Sequence, residues 1–177
     1  MRDTIARQSD VDASSIQYEV EPGQGHYRNG TITFSAREGT SVDLDKLQES
    51  IRATRLSGNT RSAVNYLEIT AQGEVVVGEE EPLLDVTGTA QQFALGDDPN
   101  ARPGGASITA YQRLREALAR GERIASVTGR VQGWSGPWPV VLRGLAGELA
   151  KGAEGPVKGA GKRPPLLVVT DFQTVTE

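Results

Sequence analysis

The chain has no cysteine, one histidine (His26) and one methionine (Met1) among its 177 residues. Without thiols there is no disulfide, no thiolate metal site, no CxxC redox pair and no cysteine nucleophile. Zinc and copper sites need several nitrogen or sulfur ligands, and a single histidine does not supply them. No cofactor and no metal is therefore expected, and an all-carboxylate site for magnesium or calcium is the one metal chemistry that composition leaves open. Long hydrophobic runs are also missing, since no apolar stretch reaches the roughly 18 residues of a membrane helix. The opening MRDTIARQSDVDASS has no apolar core of a signal peptide. The expected location is the cytoplasm if Met1 is native, and an exported compartment if a leader stood before it.

What the chain does have is charge, unevenly spread. Residues 1–100 hold 17 acidic and 8 basic residues, and residues 101–177 hold 6 and 11, so the halves carry −9 and +5 within a net −4. A basic second half can meet an anionic partner, its own acidic first half, or another protein. Hydrophobic residues make up 37%, which is polar for a globular chain yet clear of a disordered composition.

Periodicity outlines the elements. SIQYEV (15–20) and TITFSA (31–36) alternate and predict a hairpin across a glycine-rich loop. SVDLDKLQESIRATRLSG (41–58) predicts a helix capped by Ser41 or Asp43, with Leu44, Leu47 and Ile51 inward and Gly58 at its end. AVNYLEITAQGEVVV (63–77) reads as a strand with a bulge or bend at Gly73. LLDVTGTAQQFAL (83–95) reads as a strand interrupted at Gly88, antiparallel to its predecessor across the acidic turn GEEEP. SITAYQRLREALARG (107–121) predicts a second helix, capped by Ser107, with Ile108, Tyr111, Leu114 and Leu118 inward. ERIASVTGRVQG (122–133) is a strand, PVVLRGLAGELAKG (139–152) a short helix, AEGPVKGAGKRPP (153–165) a basic low-complexity loop, and LLVVTDFQTV (166–175) a closing strand. The fold class is α+β, mostly antiparallel sheet with two or three helices. The domains expected are a flexible arm over 1–13, an acidic α+β domain over 14–96 and a basic domain over 106–177, or one continuous domain in place of the last two.

Catalytic constellations are missing. His26 sits in a turn-rich loop, Asp43 and Asp45 serve a helix start, and Glu79, Glu80 and Glu81 read as a solvated turn. No P-loop and no G-x-S-x-G is present. The expectation is a protein that is not an enzyme.

Two short stretches resemble known scaffolds. GTITFSAREGTSVDLDKLQESIRATR (30–55) resembles the second half of heavy-metal-associated domains, through Asp43, Leu44, Leu47, Ile51 and the strand from Val64. The methionine and paired cysteines of that family's metal loop are absent, so the resemblance implies a ferredoxin-like half without metal. ALARGERIASVTGRV (117–131), followed by a helix and a final strand, resembles the entry to an OB-type small barrel, where a mid-strand glycine lets the strand curl. Gly129 in SVTGRV and Gly88 in DVTGTA read as the same device used twice.

The only tryptophans, Trp134 and Trp138, lie in QGWSGPWP. With Arg130, Arg143, Lys162 and Arg163 they form the candidate interaction surface, because Trp and Arg are the residues most enriched at interface hot spots. One tryptophan is expected in the core and the other near an interface. The leading expectation is a non-catalytic protein-interaction module, an accessory or structural subunit of a larger assembly, with another protein or a multi-protein complex as partner. The alternative is an OB-like domain stacking single-stranded nucleic acid on the tryptophans, with Lys158 added to the basic set. Aromatic residues are 5% of the chain, with no RNP-like cluster.

Overall fold

A computed structural model describes residues 1–20, 30–55, 64–78, 81–99, 108–134 and 163–175. It is mixed α+β, mostly strands, and divides into two compact units: Met1–Ser62 with Gly88–Gln91, and Ala63–Thr87 with Gln92–Glu177. The units divide near residue 62, while the change of charge sign in the sequence lies in the 97–105 loop. His26, the predicted helix 139–152 and nearly all of the loop 153–165 lie outside the described residues.

The first unit holds α1 (Arg2–Ala6), β1 (Val11–Val20), β2 (Gly30–Ala36) and α2 (Leu44–Ala53). β1 and β2 form a two-stranded antiparallel sheet. Residues 1–13, the expected arm, hold a short helix and the start of a strand. Ile5 and Val11 are buried, and Thr4 bonds Thr54 through their hydroxyls at 2.8 Å. α2 begins at Asp43, whose carboxylate accepts the Lys46 N–H at 3.0 Å. Its inward stripe is Leu44, Leu47 and Ile51, as the spacing predicts. The helix stops at Ala53, because Thr54 is extended, and does not run on to Gly58. Gln91 closes the unit locally: its side-chain carbonyl accepts the Val42 N–H and its amide donates to the Val42 carbonyl.

The second unit is a closed barrel of β3 (Glu68–Val76), β4 (Leu83–Val86), β5 (Gln92–Gly96), β6 (Ile124–Val131) and β7 (Leu166–Thr174), with α3 (Ala110–Ala119) between β5 and β6. The strand order is β3-β4-β5-β7-β6, and β6 pairs with β3 to close it. All pairings are antiparallel except β5 with β7. This is consistent with an OB-like small barrel. The strand after α2 thus joins the barrel and not the β1–β2 sheet.

The barrel core comprises Leu84, Phe93, Leu95, Val127, Val131, Leu167 and Val169, with Leu114 and Ala117 buried on α3. The capping box of α3 is Thr109 with Gln112, two residues after the expected cap at Ser107. Ile108 then precedes the helix and is exposed, while Ala117 takes the inward place. Tyr111 and Leu118, expected inward, are half-buried, as is Leu67 ahead of β3.

The two Val-Thr-Gly stretches are used differently. Gly129 lies mid-strand in β6, where the register against β7 shifts and leaves Thr170 as the extra residue. A β-carbon there would come within 2.6 Å of Leu167 Cγ and 2.7 Å of the Val168 carbonyl. Gly88 lies in the turn between β4 and β5, at φ 75° with open space around it. It therefore ends a strand where the sequence suggested a curl. Gly73 sits in an unbroken β3–β4 register, without a bulge, and serves close approach to the Asp85 carbonyl.

Candidate protein-interaction surface

The six expected surface residues fare unequally. Trp134 is only 5% exposed, so its ring is buried. It follows the left-handed turn at Gly133 (φ 84°) that ends β6. Arg130 is exposed on β6, but engaged: its guanidinium lies 4.4 Å from the centre of the Tyr66 ring, and its Nε is 3.5 Å from Glu68 Oε2. Arg163 is exposed just before β7. Trp138, Arg143 and Lys162 lie outside the described residues. The pairing of Val131 with Leu167 brings the end of β6 and the start of β7 together, so Arg130, Trp134 and Arg163 belong to one end of that ladder.

The strands build a different surface. Side chains alternate between the two faces of a strand, and Leu84, Phe93, Leu95 and Leu167 point into the core. Their neighbours Leu83, Ala94 and Leu166 therefore point out. The register aligns Val76 with Leu83, Leu83 with Ala94, and Ala94 with Leu166. The result is one apolar row across four strands on the outside of the barrel. Val76 is 44% exposed and the adjacent Val77 is 72% exposed. Leu166 folds down onto Gly96, where an added β-carbon would meet its Cδ1 at 2.9 Å. Ala94 is covered although it faces outward. The sequence carries no signal of this row, because each strand contributes a single residue to it.

The neighbouring outward row is polar: Glu74 opposite Asp85, and Asp85 opposite Gln92. Gln92 donates its amide to Asp85 Oδ1 at 2.6 Å. Glu81, in the turn between β3 and β4, adds a further carboxylate. Charge is distributed within the barrel unit and not between the two units. The first unit holds 9 acidic and 8 basic residues, the barrel unit 14 and 11. Within the barrel unit, residues 63–100 hold eight acidic residues and no basic one. The segment that builds β3, β4 and β5 is thus uniformly anionic.

A recess of about 340 Å³ lies between β3 and the end of α3, lined by Gly73, Glu74, Val75, Thr87, Leu118, Glu122, Arg123 and Ile124. Its Glu122 is bound by Arg120 Nε at 2.7 Å. Among the described residues, no three His, Asp or Glu side chains cluster as a metal site, and no helix is long and apolar enough to cross a membrane. No family model, curated protein or solved structure matches the chain.

Proposed function

We propose that this chain is a non-catalytic protein-interaction module whose barrel receives an apolar segment of a partner protein along the Val76–Leu83–Ala94–Leu166 row. The outward apolar row carries this reading. Burying Val76, Val77, Leu83 and Leu166 against a partner removes apolar surface from water, at about 25 cal/mol per Å². The carboxylates of the next row and of the β3–β4 turn give the partner its sign. Its apolar residues are flanked by lysine or arginine, which favours the right register and rejects acidic competitors. Membership of a larger assembly as an accessory subunit follows naturally for such a module.

The OB-like reading as a single-stranded nucleic-acid binder has less support. Stacking platforms need exposed aromatic rings within a basic groove. In the barrel unit the exposed aromatic among the described residues is Tyr66, already covered by Arg130, and β3 to β5 carry carboxylates that repel phosphate.

The test is capture from nuclease-treated extract on the immobilised full chain, beside a Val76→Lys/Val77→Lys double variant. Both sites are exposed, so the fold tolerates the change. Proteins held through the row are lost from the variant, with affinity lowered tenfold or more, about 1.4 kcal/mol or above. Equal capture by both chains overturns the reading. Titration of a labelled single-stranded oligonucleotide at physiological salt is expected to show no binding, and saturable binding would move the nucleic-acid reading to first place.

A further inference from the structure

β2 has one partner. Its sheet contains β1 and β2 alone, so among the described residues the far edge of β2 is unpaired. The direction of that edge follows from two hydrogen bonds. The Ser35 N–H donates to Ser15 Oγ at 2.8 Å and the Arg37 N–H donates to the Asp10 carbonyl at 2.8 Å. Odd-numbered residues therefore turn their backbone groups toward β1. Alternation leaves the N–H and C=O of Ile32 and Phe34, with those of Gly30 and Ala36, pointing outward.

Proteins normally blunt such an edge with lysine, proline, a bulge or a covering loop. From Gly30 to Ala36 there is no charge and no proline, and the irregularity of this hairpin lies across β1, between Asp12 and Gln17. Five of the seven residues of β2 are exposed, and Ile32 and Phe34 are half-buried. Tyr18, paired with Ile32 and 56% exposed, extends the apolar side of the hairpin. A two-stranded sheet needs either further strands or a helix against it; here α1 packs on β1, while the far edge of β2 has no such neighbour among the described residues.

We propose that the free edge of β2 pairs with β2 of a second copy of this chain, antiparallel, about a two-fold axis at Thr33. The sequence is self-complementary in that register. Ile32 faces Phe34 of the other copy as a hydrogen-bonded pair, through the groups that point outward. Thr31 faces Ser35, and Thr33 faces its own counterpart. Aromatic with β-branched, and hydroxyl with hydroxyl, are favourable cross-strand pairs. No charge meets a like charge. The contact is isologous and closes on itself, giving a four-stranded sheet β1–β2–β2–β1 and not a fibre. This surface belongs to the first unit and is independent of the barrel row, so either reading can fail alone.

Sedimentation of the full chain over a wide concentration range tests the association. The mass is expected to rise from 18.9 kDa toward twice that value. Thr33→Lys puts two cations directly opposite each other and is expected to hold the chain at the single-chain mass, with its circular dichroism unchanged. Register is tested by cross-linking, which the cysteine-free background makes unambiguous. Thr33 of two copies would form a non-hydrogen-bonded pair, with Cα atoms about 4.5 Å apart, within disulfide reach. Thr33→Cys is therefore expected to give a covalent dimer on oxidation, and Thr31→Cys, which faces Ser35, little or none. A chain of single mass at every concentration overturns the proposal. So does a Thr33→Lys variant that dimerises like the parent, or equal cross-linking at positions 31 and 33.

Discussion

Two glycines with the same local sequence can be told apart by what replaces them. At Gly129 the obstacle is external: a methyl group would press on Leu167 and on the Val168 carbonyl. Gly129→Ala is expected to destabilise the barrel by about 1–3 kcal/mol through overpacking, and any larger residue by more. At Gly88 the space is open and the cost lies in the positive φ, about 1 kcal/mol for alanine. Asparagine tolerates that conformation, so Gly88→Asn should restore most of the loss, whereas Gly129→Asn should not. Denaturant melts of the four variants decide it. Asp12 gives a pH signature at the same scale. The Ser14 hydroxyl and then the Ser14 N–H donate to its carboxylate, at 2.6 and 2.9 Å, and hold its pKa below the usual carboxylate value. A lowered folded-state pKa contributes stability above the unfolded value, and that contribution is lost as pH falls through the folded one. The melting-temperature difference between the parent and Asp12→Ala should accordingly be present at neutral pH and narrow under acid. A constant difference would assign the residue a role independent of its charge.

At the scale of the element, α3 depends on its first turn. Thr109 and Gln112 satisfy each other's backbone N–H groups. Thr109→Ala is expected to cost about 1 kcal/mol, and Leu114→Ala, at a fully enclosed position, about 2–5 kcal/mol. If Ser107 were the cap, as the sequence alone suggests, Ser107→Ala would carry the loss instead. The hairpin, α2 and the last two strands were legible because alternation or helical spacing coincided with a cap or a glycine. Ile108 was misplaced because its spacing to Tyr111 suits a helix that has in fact not yet begun. α1 is not legible because five residues with one large apolar side chain, Ile5, carry no period. Trp134 is the buried tryptophan, and nothing in QGWSGPWP says which of the two that would be. The apolar row was illegible for a different reason: it is a property of register among four strands, and no single segment contains it.

At the scale of the whole chain, the acidic and basic halves of the sequence do not correspond to separate bodies. They meet inside the barrel unit, whose first three strands come from a segment with eight carboxylates and no cation. Partner binding through the row should weaken as salt is raised, since exposed charges are screened over about 8–10 Å. Salt-independent binding would assign the contact to apolar burial alone. The unit also carries its own optical probe. With Trp138→Phe, the remaining Trp134 is expected to emit at short wavelength and to resist acrylamide quenching. Its red shift on unfolding would then report the barrel alone.

The one parallel pairing of the barrel sets an order of events during synthesis. β5 leaves the ribosome some seventy residues before β7, the strand that must lie between it and β6. Until then β5 and β6 each expose an edge, and the phenylalanine and leucines of the core have a gap where Leu167 and Val169 belong. A nascent chain stopped at residue 165 would be a sheet with two open margins, a form prone to association with its neighbours. The last strand to be made is therefore the one that turns a sticky intermediate into a closed object, and the interval before it appears is when a chaperone would have work to do.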